Sequence, residues 1–423
     1  MKNIFRKLHL WVSIPFGLVI TITCFTGALL VFEGDIVSLL NSDMMTVDPA
    51  GKPLPVDSLL ASVEPLLDEG VTVTGVEVSS EPDEAYKVNL SKPHRAAVYV
   101  DQYTGKVKGR YERPAFFDVT GRMHRWLMDV APKDGGIYWG KVIVGASTLA
   151  FVVILLTGIV IWWPRNRKML RNRVQIAVSK GKNRFWYDLH VAGGFYAVLL
   201  LLAMAMTGLT WSFEWYNKAF YGAIGVEVKQ ADAKKGSAEA RTAVPGKGGW
   251  QETAATRREC PGDCSQCDGV PCGKNPTPVT DASSGATVQA DATSGATVLA
   301  TDDNADCDVW QVALDGVLVK SGEYSSVTVS DGVVTATLGG WGNQRASDRY
   351  IFDRSTGKIT SVERYADSPL SSKAGGWVRT IHVGAWGGWL SKIICFLAAL
   401  LGATLPLTGY YFWIRKLYLK KKK

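Results

Sequence analysis

Apolar residues gather into four long runs, at about 10–32, 139–163, 191–213 and 389–413. Each is long enough to cross roughly 30 Å of hydrocarbon, which takes about 20 residues as a helix. Between runs one and two the pattern changes. In VDSLLASVEPLLDEG the apolar positions recur at i, i+3 and i+4, which predicts a helix. VTVTGVEVSS and AYKVNLS alternate as strands do, and AAVYVDQYTGKVKGRYE predicts a hairpin turning at Gln102 to Gly105. A small α+β domain over 34–138 follows. The second half repeats the plan, with an outside segment over 214–388.

The first run is written twice. His9 opens it, Thr26-Gly27 follows 17 residues later, and Phe32-Glu33 closes it. His190, Thr207-Gly208 and Phe213-Glu214 repeat that frame at the same spacing. The repeat is internal and no small-residue cleavage site follows the first copy, so the first run reads as a span and not a signal peptide. Runs two and four share Leu156-Thr157-Gly158 and Leu407-Thr408-Gly409, with His124 and His382 ahead of them. The domains expected are thus spans 1–33, 139–163, 189–213 and 389–414, a basic loop 164–188 and a basic tail 415–423.

With 47% hydrophobic residues, the chain can build a membrane bundle plus one or two small domains. Its net charge of +8 is unevenly placed. Lys2, Arg6 and Lys7, eight basic residues in 164–185, and a tail with Arg415, Lys416 and Lys420 to Lys423 leave the remainder acidic. By the positive-inside rule both termini are cytoplasmic and 34–138 and 214–388 lie outside. The basic balance is a topology signal and gives no support for nucleic-acid binding.

VYVDQYTGKV and YIFDRSTGKIT share Asp-x-x-Thr-Gly-Lys with an aromatic residue shortly before the Asp, a pattern that resembles the hairpin of PepSY domains. With the four spans, their histidines and the Thr-Gly repeats, the chain resembles PepSY-associated transmembrane proteins. That family includes haem-bearing ferric-siderophore reductases of the bacterial inner membrane. The resemblance implies an α-helical integral membrane protein, a four-transmembrane-helix bundle with two extracytoplasmic α+β PepSY-like domains. It covers the spans and both hairpins, and it omits 228–308.

Ionisable side chains at membrane depth are costly and usually functional, and imidazole is a common axial ligand of haem iron. His9 and His190 fall at the cytoplasmic ends of their spans, His124 and His382 at the outer ends. Each pair is expected to hold one haem from opposite faces. No Cys-x-x-Cys-His occurs, so the two haems are expected to be b-type. The bland alternative makes each histidine an interfacial residue bonded to a carbonyl. The Thr-Gly sites read most simply as close helix packing. His94, in KPHRAA, reads as solvated.

Residues 228–308, poor in large apolar side chains, read as a flexible insertion. Within it DASSGATV and DATSGATV resemble the acceptor motif of flavin transferases. That resemblance implies covalent FMN at Thr287 and Thr297, with a low-complexity spacer as the alternative. Cys260, Cys264, Cys267 and Cys272 precede these threonines. Disulfides are the default outside the membrane, while an iron–sulfur cluster or zinc stays open.

The function expected is transmembrane electron transfer, through the haems and tethered FMN, to an outside acceptor, with ferric siderophore the one the resemblance implies. The chain shows no Gly-rich dinucleotide fingerprint, so a quinol or a cytoplasmic partner must supply electrons, and a flavin transferase must load the flavin. The competing reading is a membrane-anchored peptidase regulator with no chromophore. A small-solute transporter fits poorly, since the spans carry few further charges.

Overall fold

The computed structural model describes residues 2–226, 309–318 and 324–421. The expected insertion, with its threonines and cysteines, lies outside them. Four helices are long and apolar enough to span a membrane: α1 (Lys2–Val31), α5 (Trp139–Trp162), α6 (Lys182–Ser212) and α10 (Gly388–Lys421). These are the four runs read from the sequence, with the first, third and fourth helices extended at their polar ends. Between the spans lie α2 (Glu33–Leu40), α3 (Val56–Val63), α4 (Ala115–Trp126), α7 (Glu214–Ala223), α8 (Val309–Leu318) and α9 (Leu370–Val383).

α1 packs against α5 and α10, and α6 packs against the same two. α1 and α6 therefore face each other across the bundle, as do α5 and α10. Ile20, Phe151, Ile154, Leu155, Ala197, Val198, Leu201, Ala205 and Ala398 fill its centre. Around His190 the helix makes one π-helical stretch, Leu189–Gly193, a widening often found at functional sites.

The segments 34–138 and 214–388 depart from expectation. Strands β1 (Val73–Ser79), β2 (Tyr86–Leu90), β3 (Ala97–Val100) and β4 (Val107–Tyr111) come from the first segment. The second supplies β5 (Tyr324–Ser330), β6 (Val333–Leu338), β7 (Ser347–Phe352) and β8 (Ile359–Glu363). They do not form two separate sheets. All eight make one antiparallel sheet, ordered β4-β3-β2-β1-β5-β6-β7-β8. β1 and β5 join the halves, pairing Val76 with Val329 and Val78 with Val327.

The reason is physical. A four-stranded half with one helix would expose the edge of β1 or β5 as an unpaired row of backbone groups. Pairing the edges satisfies both and merges the cores. Val56, Leu59 and Val63 of α3 and Ala313, Leu314 and Val317 of α8 share one cluster with Val76, Val88, Val100, Val329 and Val334. The backbone N–H of Val56 donates to Gln311 Oε1 at 3.0 Å, tying the two helices together.

Both hairpin motifs turn as the pattern predicts. Asp101 Oδ1 accepts from Tyr103 N at 2.9 Å and Asp353 Oδ1 from Ser355 N at 2.9 Å. In each, the glycine (Gly105, φ 70°; Gly357, φ 70°) takes the left-handed conformation.

Gly75 sits at the join, where an added Cβ would lie 2.6 Å from the Val329 carbonyl oxygen. Gly75→Val should therefore cost about 1–3 kcal/mol of stability by overpacking. The measurement is the thermal midpoint of the detergent-solubilised protein, expected to fall.

Candidate functional site: two facing histidine pairs

Two imidazole pairs face each other along the bundle. The ring centres of His9 and His190 are 6.4 Å apart, and those of His124 and His382 are 6.2 Å apart. His9 comes from α1 and His190 from α6, the two helices opposed across the bundle. His124 is on α4 and His382 on α9, each joining the sheet to the spans. His124 lies beside Gly27, and the 17 residues from His9 to Thr26 place the two levels about 25 Å apart along the helix.

One device seats all four rings. His9 Nδ1 meets the Ile154 carbonyl at 3.1 Å and Thr157 Oγ1 at 3.0 Å. His190 Nδ1 meets the Leu405 carbonyl at 3.1 Å and Thr408 Oγ1 at 2.8 Å. His124 Nδ1 meets the Thr23 carbonyl at 2.9 Å and Thr26 Oγ1 at 3.3 Å. His382 Nδ1 meets the Met204 carbonyl at 2.9 Å and Thr207 Oγ1 at 3.2 Å. In each case the carbonyl belongs to the residue three before the threonine.

A carbonyl only accepts, so Nδ1 carries the proton and Nε2 is left bare. The threonine hydroxyl donates to its own helix, as Thr26 does to Ile22 at 2.7 Å and Thr207 to Ala203 at 2.7 Å. It is thereby oriented to accept from the ring. The glycine after the threonine completes the seat. A Cβ on Gly27 would lie 2.9 Å from His124 Cε1, and one on Gly208 2.9 Å from His382 Cε1. Gly158 and Gly409 sit more loosely against His9 and His190, at 3.5 and 3.9 Å. Carbonyl residue, threonine and glycine stand at i, i+3 and i+4, one face of a helix.

The cradles are reciprocal. α1 carries His9 and seats His124, while α5, which follows α4, seats His9. α6 carries His190 and seats His382, while α10, which follows α9, seats His190. Each half of the chain thus locks its own two histidines, and each pair forms between halves.

The described residues hold no group of three or more His, Cys, Asp or Glu able to enclose a metal ion. Two opposed imidazoles suit instead a metal whose other positions a planar macrocycle fills. With imidazole–metal bonds of about 2.0–2.1 Å and about 1.1 Å from nitrogen to ring centre, one shared metal sets collinear rings about 6.3 Å apart. The observed separations of 6.4 and 6.2 Å match. Burial lowers the His124 basicity, and burial together with His124 pushes His382 down to about 4. Both are then neutral, the form that ligates metals.

The sequence profile of the family described as PepSY-associated TM region matches residues 6–416. The chain belongs to the PepSY-associated TM family. No curated protein matches the sequence. The family match runs through all four spans and both histidine pairs of this PepSY-associated TM protein.

Thr287, Thr297, Cys260, Cys264, Cys267 and Cys272 lie outside the described residues. Sequence reasoning found the four histidines and missed the work of Thr26, Thr157, Thr207 and Thr408. Their Thr-Gly repeats were visible and read as packing. What assigns them to particular rings is the pairing of helices, which a linear pattern does not carry.

A depressed histidine stabilises the fold fully above its unfolded value near 6.5 and loses that contribution as pH falls toward about 4. The thermal midpoint of metal-free protein should fall more steeply between pH 7 and 4 in the wild type than in His382→Asn.

Proposed function

We propose that this protein carries electrons across a bacterial inner membrane through two b-type haems, one between His9 and His190 and one between His124 and His382. The observation that carries this reading is the fourfold cradle, which leaves four bare Nε2 atoms in two facing pairs at the spacing a shared iron requires. Each haem, when bound, supplies one-electron ferric/ferrous chemistry.

The residues of the chain do the rest. The facing imidazoles of each pair would hold the iron from both sides, which would disfavour oxygen binding. The Nδ1–H bonds fix the tautomer and ring plane and raise ligand basicity, as outer partners of metal-bound histidines do. Ile20, Phe151, Ile154 and Leu201 exclude water from the bundle between the two levels. Such a dry centre suits electron passage and blocks ion leakage.

Thr287 and Thr297 would carry covalent FMN, which would supply redox chemistry toward an extracytoplasmic acceptor, a ferric siderophore being the one family resemblance favours. A quinol or cytoplasmic partner feeds the chain. The four cysteines form disulfides or hold an iron–sulfur cluster. The basic loop and termini support a cytoplasmic placement of both ends.

The test is a dithionite-reduced minus oxidised spectrum with haem quantified per chain. Sharp b-type bands at two haems per chain are expected, and a spectrum without them from haem-replete cells overturns the reading. Gly27→Val and Gly208→Val, which fill the seats of His124 and His382, should each reduce the count to one. Mass spectrometry should show FMN adducts that disappear when Thr287 and Thr297 are both changed to Ala.

A further inference from the structure

The two halves repeat, so an exact two-fold relation would make the two histidine levels alike. They differ. The ring planes of His124 and His382 cross at 54°, whereas those of His9 and His190 cross at 84°, nearly perpendicular. The departure coincides with one backbone feature. His190 lies in the π-helical stretch Leu189–Gly193, while α1 runs as α-helix through the matching position at His9. A π turn, bonded i to i+5, is rare. It redirects the residues before it and needs outside contacts to persist.

Those contacts are present. Asp188, immediately before the stretch, is 2% exposed. Its Oδ2 accepts from Ala177 N at 3.1 Å and from Arg184 Nε at 2.8 Å. Tyr196, three residues after the stretch, donates from Oη to the Val174 carbonyl at 3.0 Å. Residues 174–177, extended at Gln175 (φ −100°, ψ 140°), therefore run alongside the widened turn and hold it at both ends. Three steps of extended chain reach about 10 Å, and the helix from Asp188 to Tyr196 rises about 12 Å, so the lengths match. The clasp is anchored in turn. Arg173, one residue before it, donates from Nη1 to the Ile161 and Trp162 carbonyls at the end of α5. α5 also seats His9, through Ile154 and Thr157. One helix thus references both rings of this pair, His9 directly and His190 through the clasp.

We propose that Asp188 and Tyr196 are positioning residues, which hold the widened turn so that the His190 ring stands across that of His9. The spectroscopic consequence rests on the haem reading above, and the clasp itself does not. Crossed imidazole planes leave the two dπ orbitals of a low-spin ferric iron nearly degenerate, which raises its largest g value. Planes closer to parallel lower it.

The test is electron paramagnetic resonance of the oxidised full chain in detergent. The wild type should give two low-spin signals, the larger g value belonging to the His9/His190 level. In Asp188→Ala that g value should fall while the other signal stays. Asp188→Asn, which keeps an acceptor oxygen for the Ala177 N–H, should restore most of it, and Tyr196→Phe, which loses one hydroxyl, should shift the same signal less. If Asp188→Ala does not retain two haems, Tyr196→Phe decides. Two haems with both signals unmoved, or both moved together, overturn the clasp as a positioning device. A wild type without haem overturns the haem reading instead. Hydrogen exchange of Leu189–Gly193 then decides the clasp by itself: exchange about tenfold faster in Asp188→Ala supports it, and an unchanged rate overturns it.

Discussion

The bond from each histidine Nδ1–H to a helical carbonyl is the interaction on which the rest depends. It decides which nitrogen is bare, where the ring points and how close two helices must come. A carbonyl inside a helix is already used by the N–H four residues on, so a second donor must approach from the side. At Thr26 and Thr207 that approach is open because the next residue lacks a Cβ. Threonine and glycine in succession provide it: the threonine turns its hydroxyl to share the ring's proton, and the glycine vacates the space that Cε1 enters. Four copies, at Thr26, Thr157, Thr207 and Thr408, explain four buried threonines in otherwise apolar spans.

From that bond the architecture follows at two scales. Within each half, a span and the helix-plus-span that returns beside it seat each other's histidines, so neither can rotate or slide without breaking a seat. Between halves, the rings meet across the bundle at one level and beside the sheet at the other. The sheet makes the same join in different material. β1 and β5 close the two open edges against each other, and the helices α3 and α8 share one core. The two halves thus meet at three levels, at the sheet pairing and at the two histidine pairs.

Much was legible in the linear chain. The four spans followed from run length, because a bilayer admits only continuous apolar helices of that size. The histidines stood out because an imidazole at membrane depth is rare, and their repeat at one register, from His9 to Thr26 and from His190 to Thr207, exposed the duplication. The strands and the Asp101 and Asp353 turns followed from local alternation and turn chemistry. Sequence alone therefore determined the elements and the membership of the pairs. It could not determine which Thr-Gly seats which ring, or that the halves share one sheet. Those are contacts between residues far apart in the chain, and only helix and strand packing brings them within bonding range.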